Sequence, residues 1–292
     1  MNENAIGETL FYAVANLPRD AAFVGLALLL LFIARLVKSM LTPFDMKEQM
    51  TAKDNPAVGI SVAGYYVGVL IVMIGPLLTP TEADVPLWQD LLVTGGYALL
   101  GIILLNLSRT IIDRVLLRSF DTNKELIEDR NVGTGAVQMG AYVASGLMVA
   151  GALYGQGGGP HTAVVMYALG QLGLLIYGWI YRLICRYDIH AEIEKDNVAA
   201  GVSLGFNLIA IGIVLMKGVG GDFLDWDVSL VRLGLTFVIG VVMLIVLRFL
   251  VDLILLPGVT LRDEIVKDRN LNAAWVEGAT LTGITAVLMV IL

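Results

Sequence analysis

Glu277 invites a chemical reading first. It stands seven positions into the last apolar stretch of the chain, about 10 Å along a helix at 1.5 Å per residue. A carboxylate at that depth is desolvated, which disfavours its charged form. Such a group carries a proton, binds a cation, or meets a partner on a neighbouring helix, Arg109 or Arg248. Gln138 follows Asn131 at the same interval as Glu277 follows Asn270. One position thus holds an amide in one part of the chain and a carboxylate in another.

Two pairs share a further pattern: Arg109/Asp113 and Arg248/Asp252, each at i, i+4 spacing on one helix face. Near a helix end such a pair forms an interfacial salt bridge whose arginine snorkels to the headgroups, or it gates an ion pathway. Asn106 lies one turn before Arg109. Asn207 and Gln171 are further mid-span polar residues, for which interhelical hydrogen bonding is expected.

A third pattern lies in the charged loops. Asp54-Asn55, Asp129-Arg130-Asn131, Asp196-Asn197 and Asp268-Arg269-Asn270 each stand at the start of an apolar run, with Glu125 and Glu264 upstream of two of them. Asn and Asp accept from the unpaired N–H groups at a helix start, so capping accounts for these motifs. If the four clusters met on one axis, they would instead form a polar ring able to gather cations.

Other chemistries lack their residues. Cys185 is the single cysteine, and His161 and His190 are the two histidines. No nucleophile–base pair and no HExxH motif is present. Gly157-Gly158-Gly159-Pro160 reads as a turn without phosphate-binding context. The expectation is a protein that is not an enzyme, with no cofactor and no metal.

The elements that must position these residues follow from composition. The chain has 292 residues, 57% hydrophobic and 15% charged, against about 25% charged in soluble domains. So much apolar surface excludes a soluble enzyme and a nucleic-acid binder. The fold class expected is all-α, a polytopic membrane protein. Eight stretches are long enough to cross a bilayer: Ala21–Leu41, Ala57–Leu78, Leu87–Ile112, Val132–Tyr154, Thr162–Ile184, Val198–Met216, Val228–Leu256 and Leu271–Leu292. The N-terminal residues lack a signal-peptide pattern, so the first stretch is expected to stay as a helix.

Of the 19 basic residues, only Arg19, Lys217 and Arg232 fall on one side of these spans. The positive-inside rule therefore places the longer, charged loops in the cytoplasm and both termini outside. Lys47, Arg118, Lys124, Arg186 and Arg262 then lie at lipid-headgroup level, and residues 121–130 and 260–269 suit short amphipathic helices. Trp88, Trp179, Trp226, Tyr177 and Tyr181 near span ends read as an aromatic belt. Gly64-x-x-x-Gly68 and Gly201-x-x-x-Gly205 suit close helix packing.

The chain also repeats itself. Without a gap, Gly95, Gly101, Arg109, Asp113, Glu125 and Asp129-Arg130-Asn131 fall on Gly234, Gly240, Arg248, Asp252, Glu264 and Asp268-Arg269-Asn270. Asn55, Gly59 and Ser61 fall on Asn197, Gly201 and Ser203 in the same way. The organisation expected is an extracytoplasmic segment, residues 1–20, and two parallel four-helix repeats, residues 21–155 and 162–292, about a pseudo-two-fold axis. A finer division into four hairpins around one axis is also suggested.

The motifs Glu125 to Asn131, Glu264 to Asn270, Lys53 to Gly59 and Lys195 to Gly201, set in repeated four-helix units, resemble the YjfL-type bacterial inner-membrane proteins. That resemblance implies a bacterial inner membrane and a helical fold, and no activity. Two functions stay open. One is a conduit for a small cation or solute, with Glu277, Gln138 and the Arg/Asp pairs on its pathway. The other is a scaffold or regulator docking a cytoplasmic protein partner through the four inner loops. Beyond the lipid bilayer, the partner expected is a second copy of the chain, a dimer first.

Overall fold

The computed structural model describes residues 3–79, 85–116, 121–185, 187–255 and 258–291. Arg118, Arg186, Leu256 and Leu292, named above, lie outside them. The described residues form α1 (Glu3–Leu41), α2 (Met46–Thr51), α3 (Pro56–Leu78), α4 (Leu87–Val115), α5 (Thr122–Ile127) and α6 (Val132–Ala152). They continue with α7 (Pro160–Cys185), α8 (Ile189–Glu194), α9 (Val198–Val219), α10 (Trp226–Leu255), α11 (Leu261–Val266) and α12 (Leu271–Ile291). Among the described residues eight helices are long and apolar enough to cross a membrane, one for each stretch expected. The chain is an all-helical, multispan membrane protein.

The long helices form two layers. In the inner layer α3 packs on α6, α6 on α9, and α9 on α12, in a row. The outer layer flanks it: α1 lies on α3 and α4, α4 on α3 and α6, α7 on α6 and α9, and α10 on α9 and α12. The row differs from the ring of hairpins that the sequence suggests. Equal repeats fix that successive units pack alike, not that the rotation between them closes.

Small residues set how closely the row packs. A Cβ on Gly140 would sit 2.2 Å from the Gly205 carbonyl oxygen, and one on Gly201 2.3 Å from that of Gly133. One on Gly68 would sit 2.7 Å from the Tyr142 carbonyl oxygen. Lipid tails give helices no hydrophobic reason to associate, so such backbone approach supplies the contact energy. Gly64, by contrast, meets the Met139 side chain and Cα.

The four short helices lie at one end of the bundle, and each repeats one construction. Asp45, Asp121, Asp188 and Thr260 cap them with side-chain oxygens. Each chain then turns through one left-handed residue, Asp54 (φ 45°), Arg130 (51°), Asp196 (59°) and Arg269 (49°). An asparagine capping the next long helix follows. α5 and α11 match the amphipathic segments expected; α2 and α8 add two more of the same form.

Candidate functional site

The cap asparagines are the first polar feature that the fold assembles. Oδ1 of Asn55 accepts from Ala57 N, that of Asn131 from Thr134 N, and that of Asn197 from Ala200 N. The amide nitrogen turns the other way. Asn55 Nδ2 donates to Gln49 Oε1 and to the Leu126 carbonyl of the next short helix, at 2.8 Å. Asn131 Nδ2 donates to Glu125 Oε2 and to the Ile193 carbonyl; Asn197 Nδ2 donates to Glu192 Oε2 and to the Ile265 carbonyl. Each unit is thus bonded head to tail to the one after it. Two copies about a two-fold axis would meet through like surfaces; these units meet through unlike ones.

The charged neighbours stay outside this ladder. Asp54, Asp129, Arg130, Asp196, Asp268 and Arg269 are exposed, and Asp129 reaches Lys124 at 3.9 Å. Exposed as they are, these side chains face solvent and not the buried ladder. Glu125 is buried among Asn131, Asp129, Asp196 and Glu194, and burial holds its carboxyl above the usual glutamate range. Glu264 accepts from Asn270 Nδ2 at 2.7 Å.

Two buried polar clusters lie farther in, one in each half. In the second half Glu277 is 1% exposed. Its Oε2 accepts from Ser203 Oγ at 2.7 Å, and its Oε1 lies 3.7 Å from Arg248 Nε. Arg248 stacks over the Tyr181 ring and donates to Cys185 Sγ. Asn207 joins through Tyr177 and Tyr181, so Tyr177 and Tyr181 are buried members of this network and not belt residues. The i, i+4 pairing expected for Arg248 with Asp252 is not formed. Glu277 draws the guanidinium across to α12, and Asp252 Oδ1 accepts from Leu261 N at 2.7 Å instead.

The first half keeps the expected pair: Arg109 Nε lies 3.5 Å from Asp113 Oδ2. Gln138, 4% exposed, occupies the Glu277 position, and its Oε1 accepts from Ser61 as Glu277 does from Ser203. Lys38 of α1 completes the cluster. Its Nζ donates to Tyr142 Oη and faces the rings of Tyr65 and Tyr142 at 4.9 and 4.3 Å. Asn106 Nδ2 donates to Tyr65 Oη. A void of about 10 Å³ borders Arg109, Asp113, Gln138 and Tyr142.

Lys38, Tyr65 and Tyr142 escape a reading of the sequence, because a lysine in the last turn of a span looks like a snorkelling anchor. Ser61 and Ser203 do carry a signal, since they coincide in the repeat. Gln171 is buried with neither amide atom bonded, against the hydrogen bond expected of it. At the opposite end of the bundle a cavity of about 180 Å³ is lined by Asp90, Thr94, Tyr97, Thr162 and Arg232 among others. Arg19 closes on Asp90 there.

No solved structure matches the chain. A curated relative, the "UPF0719 transmembrane protein" of Aquifex aeolicus (strain VF5), is 23% identical over 239 residues, covering 80% of this chain and 85% of that protein. The family described as "Domain of Unknown Function (DUF350)" matches residues 12–153 and again 157–292. With nearly its whole length so matched, the chain belongs to the DUF350 family of membrane proteins.

Proposed function

We propose that the chain moves protons across its membrane, with Lys38, Arg109, Asp113 and Gln138 as the working site. The observation that carries this reading is the charge count of the first cluster. Two basic side chains share that cluster with one carboxylate, Arg109 paired with Asp113 and Lys38 held on Tyr142, and a void of about 10 Å³ borders Arg109 and Asp113. A void that size holds about one water and has no room for a hydrated metal cation. Buried ionisable groups in a span are costly to keep and mark proton relays. Arginine holds its proton at any physiological pH, so exchange falls to Asp113, which borders the void with Gln138, and to Lys38 on Tyr142.

The second cluster has one cation for one carboxylate, and Ser203 satisfies the remaining oxygen. It reads as a closed strut. The cavity at the opposite end supplies a watery approach from that side. On this reading the two halves are tandem copies of one unit, the short helices face the cytoplasm of a bacterial inner membrane, and both termini lie outside. The protein performs no covalent chemistry.

The scaffold reading is favoured by the rigid asparagine ladder, which presents a row of exposed carboxylates at the short-helix end. One experiment separates the two. The full chain is reconstituted in liposomes holding a pH-sensitive dye, with a potassium gradient and valinomycin setting the voltage. Proton entry above that of empty liposomes is expected, falling at least tenfold in Asp113→Asn. Wild-type entry no faster than the empty control overturns the proton reading and leaves the scaffold.

A further inference from the structure

The helix row ends abruptly at both sides, and the two ends are complementary. We propose that a second copy of this chain continues the row, α12 of one copy packing against α3 of the next, head to tail.

The argument is continuity with a joint that the molecule builds three times. At each internal joint the ninth residue after one cap asparagine meets the eighth residue after the next. Gly64 lies on Met139, Gly140 on Gly205, and Phe206 on Gly278. The same count from Asn270 reaches Ala279, and from Asn55 it reaches Ala63. Both are small and exposed. Gly283 occupies in α12 the place of Gly68 in α3, and Gly59 occupies in α3 the place of Gly135 and Gly201. A Cβ on Gly135 or Gly201 would strike backbone within 2.5 Å, whereas Gly59 and Gly283 have nothing within 4 Å. Around them Val67, Leu70 and Ile74 of α3 and Val276 and Val290 of α12 are exposed.

The polar ladder is open at the same two edges. Asn55, Asn131 and Asn197 are buried and reach the next short helix. Asn270 is half-buried and donates to its own Glu264, and among the described residues no next short helix receives it. At the other edge Met50 occupies the place of Leu126, Ile193 and Ile265, whose carbonyls receive those donors. Met50 borders an open groove of about 610 Å³ with Leu31, Phe32, Arg35, Lys47 and Tyr66. A lipid tail can cover the apolar part of these edges but brings no amide in register with the Met50 carbonyl. A second copy brings Asn270. Because the joined surfaces differ, the contact propagates into a ring or a row within the membrane.

The test uses the full chain in native membranes, with Cys185→Ala removing the one native thiol. Ala63→Cys and Ala279→Cys combined in one chain are oxidised with copper phenanthroline. The internal joints bring backbones within disulfide reach at these positions, so a ladder of dimers and larger species is expected. Either cysteine alone gives none. The variant Gly283→Leu, made where there is open space, keeps the wild-type melting temperature, loses the ladder, and runs as a monomer by native mass spectrometry. Cross-linking by Ala63→Cys or Ala279→Cys alone means a two-fold dimer through like faces and overturns the proposal. So does a monomeric wild-type chain that the double variant fails to cross-link, its edges then being covered by lipid. Multimers that survive Gly283→Leu also overturn it.

Discussion

Asn131→Ala tests whether the asparagine ladder holds the bundle together. The side chain makes three bonds: Oδ1 from Thr134 N at 3.1 Å, Nδ2 to Glu125 Oε2 at 2.8 Å, and Nδ2 to the Ile193 carbonyl at 2.6 Å. Loss of a helix cap costs about 1 kcal/mol. The Ile193 carbonyl keeps its bond from Asp196 N, so losing the amide donor to it costs about 0.5–1.5 kcal/mol, and loss of the bond to the carboxylate costs about 1.5–3 kcal/mol. The total is about 3–5.5 kcal/mol. Asn270→Ala removes a cap and one half-exposed bond and spans no joint in the monomer, so about 1–2 kcal/mol is expected. At about 2–4 °C per kcal/mol for a chain of this class, Asn131→Ala melts roughly 6–12 °C below Asn270→Ala. Thermal scans on nanodisc-embedded protein at one heating rate give the comparison, since membrane proteins unfold irreversibly and only matched scans rank them. Asn131→Asp is the sharper arm, because it keeps the cap acceptor, discards both donors and sets a second carboxylate against Glu125. If Asn131→Asp melts with the wild type, or Asn131→Ala with Asn270→Ala, the ladder carries none of the stability assigned to it.

Other perturbations follow from the same geometry. Glu277→Leu strands Arg248 inside the bundle and costs about 3–5 kcal/mol, while Arg248→Met combined with Glu277→Leu recovers most of that loss; melting of the two variants side by side checks it. Glu125 sits above the usual glutamate range through burial, so the folded state favours its protonated form. Its contribution is most favourable below the ordinary glutamate value and is lost as pH rises from there through the raised one. Glu125→Gln, which copies Gln49 of the first unit, flattens that part of the stability–pH profile and leaves the protein at least as stable at pH 8; a stability curve still parallel to the wild type refutes the assignment.

The spans were legible because hydrocarbon admits little besides long apolar helices. The cap asparagines were legible because they recur before four apolar runs. Their register was not fully legible: two motifs read Asp-Asn and two read Asp-Arg-Asn, and the residue held left-handed is the one directly before the asparagine, Arg130 or Arg269 in the latter. The partner of Arg248 was hidden for a different reason. Arg109/Asp113 and Arg248/Asp252 have identical spacing, and only the exchange of Gln138 for Glu277 on another helix reroutes the second arginine. Whether four units close into a ring depends on a rotation between neighbours that no single residue encodes.

That exchange also supplies the most direct test of what the first cluster is for. Ser61 and Ser203 hold the two positions alike; what differs is a carboxylate present in one half and absent in the other. Where it is present, it takes the arginine and the cluster closes with balanced charge. Where it is absent, Arg109 turns to Asp113 beside the void, and Lys38 on Tyr142 adds a second basic group without a carboxylate of its own. If this imbalance is the working feature, Gln138→Glu removes it. The new carboxylate keeps an acceptor for Ser61 and gives Arg109 a second counter-ion, so the protein is expected to melt at a higher temperature. Proton entry into liposomes is expected to fall toward that of Asp113→Asn, because the new carboxylate pairs with Arg109 and closes the cluster as Glu277 does with Arg248. Proton entry unchanged in Gln138→Glu would mean that the charge balance around the void does not govern transfer, and Lys38 and Asp113 would then be struts like Arg248 and Glu277.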